Sequence, residues 1–518
     1  MPCFITEHFK TKRYAKMRFF TFTTLLLFTL QIATAQDTAS VDKALTYEEA
    51  LAIVIDNNET LKQAKIKIEQ REAEKKAKSG LFLPSISLSG GYFVMTDDIH
   101  LDLTPVQEAI DPLYTALGNY GEFSGVANPD PTTSTVMPTL TDELSTQAVR
   151  EQLLSAQSTI AEADWTPTIQ EQSFGLLSAN FTLPIYAGGK VRIANKAAKI
   201  NIEEASAESR QKLGEVTMEL VERYYGLLLA QKVDDVRQEV MQTMKSHMED
   251  AEKMKNQGLI SNTEFLQAKV YYTEAKREKA KAERQVSIVN DALNNTLALP
   301  ENTTIATLSS FFYHEELESL NHYKSLAEEN SPLLKQIALK EELLHQQERV
   351  EKGDYLPSIA AMGTYTLADY DLSPYIPQGV IGIGLNWSLF EGNARNKTMK
   401  STQLQKEQLE LYYAKSKSNI ETVITKHYNE AHMHLEQIRQ LDVSKEFALD
   451  YLMACEKSFK EGLMPSSEVS DASLLLAKIQ IEQLQATYNY DVALSKLLYY
   501  AGVPEQYNDY LNTGISIQ

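Results

Sequence analysis

The chain has 518 residues, enough for two or three domains, and its formal net charge is −20. Such an acidic surface repels nucleic acid, which argues against a nucleic-acid partner. The two cysteines are Cys3 and Cys455, and Cys3 lies in a segment that we expect to be removed, so no disulfide framework is predicted.

The first 35 residues have the pattern of a secretory signal peptide. A basic start at Arg18 precedes an apolar run at 19–30, and the small residues Ala33-Thr34-Ala35 form a cleavage signal. The alternative is a transmembrane anchor, but the run is too short to span a bilayer of about 30 Å. We therefore expect residues 1–35 to be removed, with 1–16 an upstream start artefact.

No later segment offers about 20 consecutive apolar residues, so no membrane-spanning helix is predicted. An exported chain can still enter a membrane as a β-barrel, because barrel strands alternate apolar and polar residues and escape hydropathy plots.

The chain contains one pattern twice. LPSISLSGGY at 83–92 recurs as LPSIAAMGTY at 356–365, an offset of 273 residues, whereas PIYAGG at 184–189 matches SLFEGN at 388–393 with an offset of 204. The difference, 69 residues, indicates an insertion of about that size in the first copy. We therefore divide the chain into these parts: signal peptide 1–35, first repeat 36–300 with an extracellular insertion at 95–170, second repeat 301–504, and C-terminal tail 505–518.

Each copy is predicted to begin with a helix, at about 46–79 and 321–352, and to switch to a strand at Pro84 or Pro357. Proline lacks an amide hydrogen and biases the preceding residue away from helix. In the first strand apolar residues alternate with serines and glycine, which indicates one apolar and one polar face.

A second strand follows in each copy, at 174–186 and 380–390. An ordinary sandwich strand is the alternative interpretation, and it is disfavoured because only four strands are evident. Gly188-Gly189 ends the second strand of the first copy, and Gly392 ends that of the second.

Two very long helices come next, at about 190–256 and 394–460, and neither contains proline. About 65 residues at 1.5 Å each make a rod of roughly 100 Å. Glycine turns then reverse the chain, and return helices are predicted at about 263–297 and 467–501.

Four strands cannot close a barrel in a membrane, because an open sheet would leave edge amides and carbonyls unpaired in lipid. Identical partners must supply the remaining strands. Three copies give twelve strands and two give eight; an eight-stranded interior is filled by side chains, so a duct favours the larger ring.

Taken in order, the signal peptide, the two strand starts at Pro84 and Pro357, the glycine-rich strand exits and two Gly-Leu turns resemble the TolC-type outer-membrane efflux family, over about 45–504. The resemblance implies a mixed α/β membrane protein of long antiparallel α-helices. It implies a homotrimer with a twelve-stranded β-barrel in outer-membrane lipid of a Gram-negative bacterium and an α-helical barrel in the periplasm. It also implies that a periplasmic adaptor protein and an inner-membrane RND or ABC transporter are partners in efflux or type I secretion.

The two turns between the long helices are the most informative local sequences. GLISNTEFLQAKV starts at Gly258 and GLMPSSEVSDASL starts at Gly462. The local interpretation is a helix C-cap glycine followed by an N-cap. The predicted caps are Thr263 or Ser261 in the first turn and Ser466 or Ser467 in the second. The resemblance implies that the adaptor docks at these turns, on Gly258, Leu259, Gly462 and Leu463.

Glu468 and Asp471 are three residues apart and share a helix face. Acidic residues near a helix N-terminus are favoured by its dipole, and rings of carboxylates favour cations. The resemblance implies that this pair forms an acidic constriction and that Thr263 with Glu264 is the gating pair of the other tip. The family latches its tips with Tyr and Arg where this chain has Phe459 and Met464, so the latch departs from the family pattern.

The remaining candidates point to no enzyme. The insertion at 95–170 is strongly acidic, as expected of an external loop or, alternatively, a partial lid. His427, His432 and His434 suggest a metal, but no complete ligand set accompanies them. Nucleophile, phosphate-binding and zinc-protease motifs are absent from the sequence, so neither cofactor nor metal is predicted. A coiled-coil adhesin and a periplasmic adaptor are the rival classes, and the cargo, whether drug, metal or protein, stays open.

Overall fold

The computed structural model describes residues 41–123, 147–300 and 302–517. The predicted signal peptide and the centre of the insertion, 124–146, lie outside the described residues. The elements of the first repeat are, in chain order: β1 (Val41–Leu45), α1 (Tyr47–Asn57), α2 (Glu59–Ser79), β2 (Ser85–Val94), β3 (Ile99–His100), α3 (Thr104–Phe123), α4 (Gln147–Glu162), β4 (Thr168–Gln170), β5 (Ser173–Ala187), α5 (Lys190–Asn256) and α6 (Asn262–Leu297).

The second repeat presents the same helix–strand–strand–hairpin order without the insertion. Its elements and those of the C-terminal tail are: β6 (Thr303–Thr307), β7 (Phe311–Tyr313), α7 (Leu320–Asn330), α8 (Pro332–Gly353), β8 (Ser358–Tyr370), β9 (Gly379–Asn386), α9 (Ala394–Lys460), α10 (Ser466–Tyr500), α11 (Tyr507–Thr513) and β10 (Ile515–Ile517).

The mostly helical fold with a four-stranded sheet is confirmed. The sheet has the order β2-β5-β8-β9, and every neighbouring pair is antiparallel. β9 ends at Asn386, four residues before the predicted end at 390. The two repeats meet between β5 and β8, which leaves β2 and β9 as the edges of the sheet.

The sheet has one polar and one apolar face. On the polar face the Asn180 amide donates to Ser89 Oγ (2.7 Å), and Thr364 Oγ1 donates to Asn180 Oδ1 (3.1 Å), so one ladder crosses three strands. On the opposite face Ile381 and Ile383 are highly exposed. The predicted alternation therefore gives a sheet with two chemically different surfaces, neither covered by other parts of the described chain.

The long helices α5 and α9 each have 67 residues, with bounds that agree with the sequence prediction. Each begins after a residue in the left-handed region: Gly189 has φ 79° and Asn393 has φ 64°. Glycine and asparagine are the residues that adopt this conformation at least cost, which explains the sharp change from strand to helix.

The prediction of a single helix at the start of each repeat is wrong, because two helices are present there: α1 and α2 in the first repeat, α7 and α8 in the second. The Asn58 side chain accepts hydrogen bonds from Thr60 N and Leu61 N and restarts the chain as α2. Ser331 caps α8 in the same way, and Pro332 occupies its first turn. A capping side chain competes with the helical backbone, so apolar periodicity alone does not reveal the break.

The expectation of only four strands is also wrong, because ten strands are present among the described residues. β1 pairs with β6 in parallel, and β7 pairs with β10. These short strands lie against the main core, where the return helices α6 and α10 end, and Tyr507 of the predicted tail at 505–518 is buried in that core. The largest fully buried side chains there are aromatic: Tyr47, Tyr224, Tyr225, Tyr323, Tyr490, Tyr507, Phe311 and Phe312.

The insertion contains the predicted helix near 142–162, observed as α4, and a second helix, α3, that was not predicted. Pro112 lies inside α3. Because proline usually ends or kinks a helix, the sequence did not predict a helix here. The buried Gln170 ties the insertion to the opposite loop: its amide donates to Asp371 O (2.7 Å), and its Oε1 accepts from Ser373 N (2.7 Å). Within the described residues no helix is both long and apolar enough to cross a membrane.

Candidate functional site

The two hairpin tips share one backbone geometry. Gly258 has φ 76° and Gly462 has φ 72°, both in the left-handed region. In each tip the glycine amide bonds three residues back, to Lys255 O or Phe459 O, and the following leucine amide bonds five residues back, all at 2.9 Å. This is the Schellman motif, which satisfies the last carbonyls of a helix.

Helix capping does not account for the leucines at the tips. In a Schellman motif the residue after the glycine usually covers the end of the helix. Leu259 is 65% exposed and Leu463 is 77% exposed, so both side chains extend into solvent. No neighbouring atom lies within 4 Å of a side chain built on either Gly258 or Gly462, so the surroundings of the turns are open.

The side-chain hydrogen bonds of the first tip are made within its own turn. Ser261, and not Thr263, caps α6: Ser261 Oγ accepts from Glu264 N (3.2 Å), and Glu264 Oε2 accepts from Ser261 N (2.7 Å). This reciprocal pair is a capping box. Glu264 is thereby committed to its own turn, whereas the neighbouring Thr263 is exposed.

The second tip uses no side-chain cap. Pro465 occupies the N-cap position of α10, so the predicted capping by Ser466 or Ser467 is wrong. Proline fixes its own φ and cannot donate, and it takes the place of a hydroxyl cap. Ser466 is instead 2% exposed and faces the first hairpin.

The second tip presents its two carboxylates to tyrosines. Glu468 Oε2 accepts from Tyr451 Oη of α9 (3.3 Å), and Asp471 Oδ1 accepts from Tyr271 Oη of α6 (3.0 Å). Burial and the Asp471 carboxylate raise the pKa of Tyr271, so its hydroxyl remains a donor at neutral pH. Asp471 is exposed, whereas Glu468 is half-buried, as Glu264 is, so of these three carboxylates Asp471 is the one that is open to solvent.

A small core lies between the second tip and α5. Phe459 is 5% exposed and packs with Cys455, Val469 and Ala472, while Met464 lies at its edge. The His247 ring of α5 lies 4.7 Å from the Phe459 ring, measured between centroids. The residues at the two family latch positions therefore take part in apolar packing.

The predicted junction at Gly188, between β5 and α5, lies against Gly353 at the end of α8. A side chain built on Gly188 would meet Gly353 O at 2.5 Å, and one on Gly353 would meet Gly188 O at 2.6 Å. Lys190 and Asp354 form an ion pair at the same place. This close approach joins the two repeats, and only glycine allows it.

The other predicted junction residues bound the strands of the sheet. Pro84 and Pro357 directly precede β2 and β8, and Gly189 is the N-cap of α5. Gly392 has φ 58° and no neighbouring atom within 4 Å of a built side chain. The counterpart of the tightly packed Gly188 is therefore open.

The histidines that suggested a metal have other contacts. His427 is buried, its Nδ1 lies 2.8 Å from Glu430 Oε2, and its ring stacks on Tyr500. His434 Nδ1 lies 2.9 Å from Gln437 Oε1. The absence of a metal stays a prediction.

Sequence reasoning missed three residues at the tips: His247, Tyr271 and Tyr451. They lie about three to four helical turns from the glycines, inside long helices whose periodicity indicates only that they face a neighbouring helix. Tyr451 is 204 residues after His247, the repeat offset. That offset was the available signal that the two positions are equivalent.

Comparison with known proteins adds a family to this geometry. The family model described as outer membrane efflux protein matches residues 141–298 and 324–503, more than half of the chain. Alkaline protease secretion protein AprF of Pseudomonas aeruginosa is 21% identical over 307 residues, which are 57% of this chain and 63% of AprF. The match thus spans less than two thirds of that relative.

Solved structures share the fold. The outer membrane protein VceC of Vibrio cholerae superposes with a TM-score of 0.62 at 14% identity, covering 88% of this chain and 96% of VceC. The CmeC outer membrane channel of Campylobacter jejuni gives 0.62 at 13% identity, covering 88% and 86%. The MtrE outer membrane channel of Neisseria gonorrhoeae, in an open state, gives 0.60 at 11% identity, covering 88% and 89%. With the match to both repeats, the chain belongs to the outer membrane efflux protein family.

Proposed function

We propose that this protein is the outer-membrane exit duct of a tripartite efflux or type I secretion system, and that it works as a homotrimer. The observation that carries the proposal is a two-faced sheet with two free edges that continues directly into 67-residue helices, with this arrangement present twice. Such helices are about 100 Å long. Cargo from an inner-membrane RND or ABC transporter would pass through the duct without chemistry.

The internal duplication supports a ring of copies. β5 of the first repeat pairs with β8 of the second through twelve residue pairs. By the repeat offsets β5 corresponds to β9, and β8 corresponds to β2. The edge β9 of one copy can therefore pair with the edge β2 of the next copy as β5 pairs with β8, which leaves no edge open in lipid.

This equivalence predicts the strand register between neighbouring copies. The pairs Ala179–Tyr365 and Asn180–Thr364 translate into Ile383 opposite Tyr92 and Gly384 opposite Gly91 of the neighbouring copy. Ile383 is 73% exposed and Tyr92 is 64% exposed, and both lie on the apolar face of the sheet. The register thus keeps apolar residues on one side and polar residues on the other.

Repeat-equivalent positions in the helices also support a ring of copies. Ile200 of α5 and Leu339 of α8 are each 3% exposed. Their equivalents by the offsets of 204 and 273 are Leu404 of α9 and Ile66 of α2, which are 51% and 62% exposed. Apolar residues thus stand uncovered at positions whose counterparts are buried, as expected if a second copy covers them.

Cysteine cross-linking tests the trimer. In a Cys455→Ser background, Tyr92→Cys with Ile383→Cys should give a disulfide-linked trimer in membranes, because directly opposite residues in antiparallel strands bring their Cβ atoms within disulfide range. The matched control, Tyr92→Cys with Gly384→Cys, places the second thiol on the other face. Equal cross-linking of both pairs, or of neither, would contradict the register.

We also propose that Glu468 and Asp471 form the acidic constriction of this duct, with Thr263 and Glu264 at the gate of the adjacent tip. The proposal is supported by the solvent-facing Asp471 and by the absence of a side-chain cap that would engage these acids. Rings of carboxylates attract cations. Glu468→Ala with Asp471→Ala should weaken block by a trivalent cation such as La³⁺ in single-channel recordings. Unaltered block would reject the assignment.

The exposed leucines support docking of a periplasmic adaptor protein at Gly258, Leu259, Gly462 and Leu463. An apolar side chain at a solvent-facing turn is suited to a partner surface. Leu463→Asp should abolish cross-linking to the adaptor while the trimer remains intact. Leu475→Asp, on the same hairpin but away from the turn, is the control, and retained cross-linking in Leu463→Asp would refute the docking site.

A further inference from the structure

We infer that His247 is a positioning residue that holds the start of α10, and with it the carboxylates of Glu468 and Asp471, against the first hairpin. The inference rests on the proposed aperture, because it states what sets the position of the acids there. The observation behind it is a buried hydrogen-bonded joint between α5 and the second tip, whose hydrogen-bonding residues are not those at the two family latch positions.

The joint has defined hydrogen bonds. His247 Nε2 lies 3.0 Å from the carbonyl oxygen of Ser466 and 2.7 Å from its hydroxyl oxygen. Because the carbonyl oxygen only accepts, we assign the proton of the neutral ring to Nε2. The imidazole therefore donates to the first residue of α10. Glu468 and Asp471 follow within two turns of that anchor.

Burial makes the joint specific. His247 is 8% exposed and Ser466 is 2% exposed, and the Phe459 ring packs on the imidazole. A polar group at this depth that loses its partner pays the cost of desolvation without compensation. The start of α10 consequently has one favoured position on α5.

Tyr271 reinforces the same placement from α6. Its hydroxyl donates to Asp471, so both helices of the first hairpin hold α10. The repeat-equivalent position of His247 is Tyr451, which is 44% exposed and bonds Glu468 of its own hairpin. Of these two equivalent positions, the buried joint is therefore present at His247 alone, between the hairpins of one subunit.

The charged groups around His247 predict how the joint responds to acid. Burial lowers the pKa of His247, opposed by the Ser466 carbonyl and by the charges of Asp250 on α5 and Glu456 on α9. An imidazole released into solvent regains a pKa near 6.5. Protonation is therefore stronger in the released state, and the joint weakens as the pH falls below that value. The titratable groups in the first two turns of α10 are Glu468 and Asp471.

Single-channel recording of the full-length trimer tests the inference, with La³⁺ applied from the periplasmic side. His247→Leu fills the space without a donor and should weaken the block about fivefold, the factor expected for one lost hydrogen bond. His247→Gln keeps a donor near the Nε2 position and should restore most of the block. His434→Leu, the same substitution at a histidine away from the tips, should leave it unchanged.

The pH profile separates positioning from packing. Wild-type block should weaken as the pH falls just below 6.5, whereas block of His247→Gln should stay constant over the same range. A wild-type profile as flat as that of the Gln variant, or normal block in an assembled His247→Leu trimer, overturns the inference. If His247→Leu does not assemble, the pH comparison decides alone. Failure of wild-type protein to form cation-blocked channels would instead reject the proposed function.

Discussion

The two hairpins are packed very differently at their tips and at the level where the return helices α6 and α10 end. Where the helices end near β1, β6 and β7, fully buried aromatic and aliphatic side chains form one continuous core. At the tips, Met254 and His247 of α5 pack against a cluster of four buried residues of the second hairpin, and a few side-chain hydrogen bonds join the two hairpins. One end resembles the interior of a globular domain, and the other resembles a small interface.

The difference indicates where the chain can move. Each fully buried large apolar side chain stabilises by about 1.5–3 kcal/mol, whereas a net hydrogen bond contributes about 1 kcal/mol. Breaking the tip contacts therefore costs far less than disturbing the core. Opening confined to the tips leaves the global fold intact, as expected of a segment with low local stability.

The largest expected effect comes from the core. Leu494 of α10 is fully buried, and Leu494→Ala should lower the free energy of unfolding by about 2–5 kcal/mol, the usual cost of a cavity. Leu475→Ala, on the same helix nearer the tip and 44% exposed, should cost less than about 1 kcal/mol. Denaturant unfolding at one protein concentration measures both. Equal losses would remove the contrast between the two ends.

The next largest effect is a pH dependence of the folding stability, which should come from the core. Asp491 is fully buried, its carboxylate oxygens have no hydrogen-bond partner among the described residues, and burial raises its pKa well above the ordinary value. Because the unfolded chain releases this proton more readily, stability should fall as the pH rises above 3.8 toward the raised pKa.

Asp491→Asn keeps the shape without the proton, so it should be more stable than wild type at neutral pH and should lose this part of the pH dependence. Melting temperatures across the pH range provide the measurement. Parallel curves for the two proteins would show that Asp491 is not the group responsible.

The smallest effect concerns the difference between the tips. Ser261→Ala removes the capping box of α6 and should cost about 1 kcal/mol locally, seen as faster hydrogen exchange at the Glu264 amide. Ser467→Ala, at a position that caps nothing, should leave exchange at the start of α10 within experimental error. Similar acceleration in both variants would mean that the tips are stabilised alike.

Much of this architecture follows from local sequence. The bounds of α5 and α9 and the glycine turns were predictable because proline-free periodic stretches and left-handed glycines act through nearest neighbours. The switch at Pro84 and Pro357 was predictable for the same reason. The breaks at Asn58 and Ser331 were missed because a single capping side chain outweighs a continuing periodic pattern.

The contacts between elements were beyond the sequence. The strands β1, β6, β7 and β10 are three to five residues long and pair across large separations, so no periodicity identifies them. The tip carboxylates could be found by spacing, but not their different uses: Glu264 in its own cap, Glu468 and Asp471 bonded to tyrosines. His247 gave no local signal, because its partner is 219 residues away.

The sequence by itself thus determined the order of the elements, their lengths and the duplication, since these depend on interactions between residues a few positions apart. Only the tertiary structure decided which strands form edges, which partners the tip acids bond and which histidine joins the hairpins. Those outcomes depend on side chains that meet after the long helices have packed, and burial, which sets their energies, exists only in the folded chain.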